Sequence, residues 1–167
     1  MNNELLKKLY LQYYNEIYLY LCSLCHNAAV AEDLAQETFL KALLSLDESH
    51  TNMRAWLYTV ARNLYFNFQK KYERHSSVSE LPESTADEGT DDILNRIVFS
   101  EQRKMLYRAM KRLDIRCREV LTLQYFGNLS QKEIADILHI TAENVRVLAY
   151  RGKKQIKQIM EKMQNEL

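Results

Sequence analysis

Cys22, Cys25 and His26 stand together in the stretch "YLCSLCHNAA" (19–28), and side chains of these types at this spacing could do two kinds of chemistry. C-x-x-C-H is the spacing through which a c-type haem is attached covalently. Two thiolates and an imidazole would also supply three of the four ligands of a tetrahedral zinc. Each chemistry needs more than this stretch offers. The haem needs an oxidising compartment and an axial ligand from elsewhere in the chain. Zinc needs a fourth ligand, and Cys117, His50, His75 and His139 are scattered singly. Three cysteines make an odd set, and no basic start followed by an apolar run marks the N-terminus as a signal peptide. The expected setting is therefore the reducing cytoplasm, with unpaired thiols. Neither a metal nor another cofactor is predicted. The remaining reading is packing: Cys25 follows Leu21 by four residues, and a buried thiol packs like a small hydrophobe. A thiol-based redox role for the pair stays open. No nucleophile–base set or Gly-rich phosphate loop appears elsewhere, so no catalytic residue is assigned and the chain is not expected to be an enzyme.

A second chemistry is polyanion binding. Arg146, Tyr150, Lys153 and Lys154 recur at helical spacing near the C-terminus, flanked by Asn144 and Arg151. Arg can read guanine and Asn adenine, while Lys mostly meets phosphate. The same residues would also make an ordinary solvated face. Trp56, Tyr58, Tyr65, Phe66 and Phe68 lie among Arg54, Arg62, Lys70 and Lys71. Rings beside cations suit single-stranded nucleic acid, because bases stack and phosphates pair. Core packing is the alternative for Trp56 and some of the Phe residues.

The elements that must position these residues are helices. Only three Gly and one Pro occur in 167 residues, whereas strands joined by tight turns consume both. Hydrophobic residues make up 47%, enough to bury a core. No run of roughly eighteen apolar residues occurs, so no membrane insertion is expected. The fold class is all-α: two small helical domains joined by an acidic flexible linker, the second a helix-turn-helix. The net charge of +1 conceals three blocks. Residues 1–72 carry seven Lys/Arg and seven acids, 73–95 one Arg against seven acids, and 96–167 fifteen Lys/Arg against eight acids. The domains are accordingly 1–74, a linker over 75–95, and 96–167. The linker contains the single Pro and few apolar residues to offset the entropy of ordering.

In residues 4–25, Leu5, Leu6, Leu9, Tyr13, Ile17, Leu21 and Leu24 form a helical stripe that Cys25 continues. Further helices are expected over 29–46 and 54–74, with a polar loop over 46–53. After the linker comes a helix over 93–113, its inner stripe Ile93, Ile97, Met105, Leu106, Ala109 and Leu113. Another over 116–127 is stopped by Gly127-Asn128. In 129–160, Ser130 with Glu133 spells a capping box, and Thr141 caps a second helix. Ile134, Ala135 and Leu138 face inward on the first, Val145 and Leu148 on the second, and Ile140 sits in the turn. This is the pattern of a helix-turn-helix, whose second helix enters the major groove.

Two stretches of the first half, "AEDLAQETFLKAL" (31–43) and "RAWLYTVARNL" (54–64), resemble region two of extracytoplasmic-function (ECF) sigma factors, the promoter-specificity subunits of bacterial RNA polymerase. "REVLTLQYFGNLSQKEIADILHIT" (118–141) resembles region four of the same family. The resemblance implies a protein that joins core RNA polymerase, directs it to promoters and promotes melting of the minus-ten element, in a stress or signal response. It implies that Asp33, Gln36, Glu37 and Leu40 dock on the β′ clamp helices; taken alone, they would be an exposed acidic face. It implies contacts to the melted minus-ten strand from Ser49, His50, Trp56, Arg62, Asn63, Tyr65 and Lys70, with Asn63 at the edge of a pocket for a flipped base. It implies duplex contacts to the minus-thirty-five element from Asn144, Arg146, Tyr150, Arg151, Lys153 and Lys154. The β flap, a connector path through the polymerase cleft and an anti-sigma partner are implied as well. The chain departs from the family at Val147-Leu148, at Gly152 where Ala is usual, and at His139 where the turn commonly has Gly. The competing functional reading is a two-domain regulator that binds duplex DNA through 118–157 alone.

Overall fold

In a computed structural model of the protein, the structure describes residues 3–25, 27–45, 52–75 and 101–166. The chain divides into two compact units, Met1–Ile93 and Leu94–Leu167. Among the described residues every regular element is a helix. The acidic segment 76–95, His26, the loop residues 46–51, and Ile93 and Ile97 lie outside them.

Unit one packs three helices against one another: α1 (Asn3–Cys25), α2 (Ala28–Ser45) and α3 (Met53–His75). Alanines at the contacts (Ala31, Ala35, Ala42 and Ala61, all fully buried) let the backbones approach. The stripe expected on α1 proves too long at one end and too narrow at the other. Leu5 is 42% exposed, whereas all nine residues from Ile17 to Cys25 are buried. The second half of α1 is covered by both α2 and α3, so it has no face left for water. Its polar groups are satisfied locally: Ser23 Oγ donates to Tyr20 O at 2.5 Å. Cys22 and Cys25 belong to this core, and burial raises the Cys25 thiol to about 12. Asn27 forms the corner, its side-chain oxygen accepting Val30 N–H at 3.2 Å to cap α2. A half-buried ion pair joins α1 to α3: Glu16 Oε1 lies 3.0 Å from Arg54 Nε and accepts the Tyr58 hydroxyl at 3.1 Å. Burial nevertheless holds the Glu16 carboxyl above its ordinary range.

Unit two holds α4 (Glu101–Met110), α5 (Ile115–Tyr125), α6 (Gln131–Leu138) and α7 (Ala142–Asn165). The helix expected to reach residue 113 stops at Met110; short turn bonds from Arg112 N–H to Ala109 O and from Leu113 N–H to Met110 O take over. Tyr107 and Met110 are buried with Ala109, while Met105 and Leu106 are half-buried. Asp114 caps α5, its carboxylate accepting Cys117 N–H at 3.0 Å. At the other end of α5 the left-handed residue is Asn128 (φ 53°); Gly127 is buried and does not have a positive φ.

The helix-turn-helix forms with both expected caps. Ser130 Oγ accepts Glu133 N–H at 3.1 Å and Glu133 Oε1 accepts Ser130 N–H at 2.8 Å, which closes the capping box. Thr141 Oγ1 accepts Asn144 N–H at 3.1 Å. His139 ends α6 at φ 57°, and its N–H and that of Ile140 both donate to Ala135 O. That is a left-handed helix stop, the geometry in which Gly is the easier residue. Ile134, Ala135 and Ile137 are buried on α6, and Leu138 only half-buried.

On α7 the buried stripe is Val145, Ala149, Gly152 and Ile156. Gly152 is a contact that sequence reading counts only as a helix penalty. A Cβ there would stand 2.8 Å from Leu121 Cδ1 and 3.3 Å from Cys117 Cβ. The missing side chain is what lets α7 lie against α5.

Candidate nucleic-acid interface

On α2 the buried side is Ala31, Leu34, Ala35, Thr38, Phe39 and Ala42. The side away from it exposes Asp33, Gln36, Glu37 and Leu40, so the structure brings the four predicted residues onto one outward face. Leu44 belongs to the same face and is missing from the sequence-based set. It follows Leu40 by four residues, the spacing that would have found it. Leu40 is 55% and Leu44 75% exposed, so the face runs from acids at one end to bare leucines at the other.

On α3 the aromatic and basic cluster separates into two groups. Asn63 and Lys70 are exposed, and Trp56, Phe66 and Phe68 are half-buried. The Arg62 guanidinium lies 4.6 Å from the centre of the Phe66 ring, and Phe68 stacks with Tyr72. Tyr65 turns away from Asn63: it is buried, its ring edge-on to Phe66 at 5.1 Å, and its hydroxyl donates to Leu24 O at 3.2 Å. The reason is helical phase. Residues two apart lie about 200° apart around the axis, so Asn63 and Tyr65 cannot share a face. Tyr58 is likewise core, set edge-on against Tyr20, and Arg54 is occupied by Glu16 and the Tyr13 ring. Ser49 and His50 lie outside the described residues.

On α7 all six predicted residues, Asn144, Arg146, Tyr150, Arg151, Lys153 and Lys154, are exposed. Tyr150 is the barest large hydrophobic of the helix, at 71%. Lys153 sits 5.8 Å from the centre of the Tyr125 ring. Beside that ring an apolar groove of about 370 Å³ runs between α4, α5 and α7, floored by Leu106, Leu121, Ile156 and Met160 with Lys157 at its edge. Among the described residues no cluster of three or more His, Cys, Asp and Glu is placed to hold a metal, and no helix is long and apolar enough to cross a membrane.

The second unit is thus a capped helix-turn-helix with a basic outer face, and the first a three-helix unit with an acidic-to-apolar face. Comparison with known proteins gives both a family. The sigma-70 region 2 family matches residues 9–75 and the sigma-70 region 4 family residues 103–156. The RNA polymerase sigma factor YlaC of Bacillus subtilis (strain 168) is 33% identical over 172 residues, covering 99% of this chain and 97% of that protein. The ECF RNA polymerase sigma factor SigM of the same organism is 28% identical over 161 residues, covering 95% and 97%. The fold is shared with the sigma factor RpoE solved in complex with the anti-sigma factor NepR from Bartonella quintana. That match has a TM-score of 0.69 at 21% identity, over 93% of this chain and 96% of that one. The chain belongs to the ECF group of sigma-70 RNA polymerase sigma factors.

Proposed function

We propose that this sigma factor acts in the cytoplasm by docking on core RNA polymerase through the outward face of α2, and that it reads promoters at two separate places. Asp33, Gln36, Glu37 and Leu40 meet the β′ clamp helices, with acids toward basic side chains and the leucines covered. Arg62, Asn63 and Lys70, with Trp56 and the loop that carries Ser49 and His50, hold the melted minus-ten strand. Ring stacking there offsets the few kcal/mol that a flipped base costs. The α7 face meets the minus-thirty-five duplex, and the groove beside Tyr125 receives the β flap. Transcription of the target promoters answers a stress or signal. RpoE has been solved with an anti-sigma factor, and an anti-sigma protein for this chain would cover the same exposed leucines.

The observation that supports this reading above the others is that the two faces lie on different units, each opposite its own core. A regulator acting through unit two alone has no use for two bare leucines in line with Asp33 and Glu37. In vitro transcription with core polymerase tests it. Promoter-dependent initiation should require this protein, Asp33→Ala should weaken core binding, and Arg146→Ala should weaken promoter binding while sparing core. Initiation that stays independent of the protein on every cognate promoter would sink the reading.

A further inference from the structure

The outward face of α7 is not uniformly basic. At about 100° per residue, the point opposite the buried stripe of Val145, Ala149, Gly152 and Ile156 falls close to Val147. Val147 and Lys154 lie within about 10° of that point, Glu143 about 30° from it, and Tyr150 and Arg151 about 50° from it on opposite sides; all five are exposed. Val147 is 47% exposed, an apolar side chain with no core to join. Apart from Lys154, the cations stand to either side. Arg146 and Lys153 lie about 90° and 110° away on one side, with Lys153 over the Tyr125 ring, and Arg151 lies on the other side.

A helix seated in the major groove, about 12 Å wide, turns its outermost line to the base edges and its shoulders to the phosphate walls. The shoulders here match the walls in charge. Beside the flexible Lys154, the outermost line offers the isopropyl group of Val147 to the groove floor, where the methyl group on offer is the 5-methyl of thymine. We infer that Val147 reads a thymine methyl in the upstream promoter element, and that Arg146 serves chiefly as a phosphate contact. This rests on the reading of α7 as the recognition helix. It changes the roles that residue type alone suggests, because helical phase sets Arg146 off the outermost line.

The test uses holoenzyme assembled from core polymerase and the full chain. A promoter library randomised in the upstream element yields the preferred element, and each of its thymines is then replaced in turn by deoxyuridine, which removes only the methyl. At one thymine the wild-type holoenzyme should bind about fourfold more weakly, the worth of one buried methyl. Val147→Ser, a change at an exposed position, should bind thymine and uracil equally there. If no thymine shows the loss, or if Val147→Ser keeps it, the inference is overturned. Val147→Ser that alters only binding of a protein partner overturns it too, since the apolar patch then serves that partner. A library that yields no preferred upstream element removes the recognition-helix reading and the inference together, a signature distinct from an element insensitive to uracil.

Discussion

Gly152 brings α7 against α5 with no Cβ between them, so two opposing terms meet at one atom. Ala is the better helix former by about 1 kcal/mol. Its methyl would stand 2.8 Å from Leu121 Cδ1, and Leu121 is 1% exposed with nowhere to turn; Cys117 Cβ, 3.3 Å away, cannot rotate aside. Overpacking of this kind costs about 1–3 kcal/mol. Gly152→Ala should therefore lower stability in urea unfolding by about 1 kcal/mol net, and adding Leu121→Ala should cost less than the two single changes summed. A gain in stability from Gly152→Ala alone would show that the helices part without cost. His139 presents the reverse case. Its backbone sits at φ 57°, where a side chain is strained by about 1–2 kcal/mol, partly offset by the extra entropy of an unfolded Gly. His139→Gly should stabilise the chain by about 0.5–1 kcal/mol, read as a raised Tm.

At the scale of the helix, Asp114 holds the start of α5, and the bond from Cys117 N–H keeps its carboxyl below the ordinary range. The folded value lies below the unfolded one, so the cap's contribution is full above about pH 4, the usual Asp value, and fades as pH falls through the lower folded value. Asp114→Ala should cost about 1 kcal/mol at neutral pH. Asp114→Asn should keep the cap while flattening the acid limb of stability against pH. On α2, Leu44→Ser should weaken core binding, with a stability change within about 0.5 kcal/mol, as expected of an exposed position. How far such features were legible from sequence differs from helix to helix. Spacing and cap chemistry located α6 and α7, because Ser130, Glu133 and Thr141 act on neighbours three residues away. The outward set on α2 was legible for the same reason. The all-round burial of Ile17–Cys25 was not, since it comes from α2 and α3 closing on α1 together. Tyr65 was placed with Asn63 by residue type, where phase sends it into the core. Gly152 scored as a defect because its partner, Leu121, is thirty-one residues away in the chain.

At the scale of the molecule, the two faces belong to separately packed units, each with its own core. Substitutions without shared contacts add. Asp33→Ala combined with Arg146→Ala should thus lose the sum of the two single effects on promoter-dependent initiation, on a free-energy scale. Arg146→Ala should also flatten the salt dependence of promoter binding by about one phosphate contact. Trp56, half-buried at the head of α3, is the only tryptophan among 167 residues, and it lies in the first unit. Nature has in effect labelled one unit and left the other dark. Indole emission follows the opening of α3 and the unit it belongs to, and carries no signal from a tryptophan in the helix-turn-helix. Ellipticity sees both units. An emission curve and an ellipticity curve that diverge in urea would give each unit its own midpoint, from a chain with no dye attached.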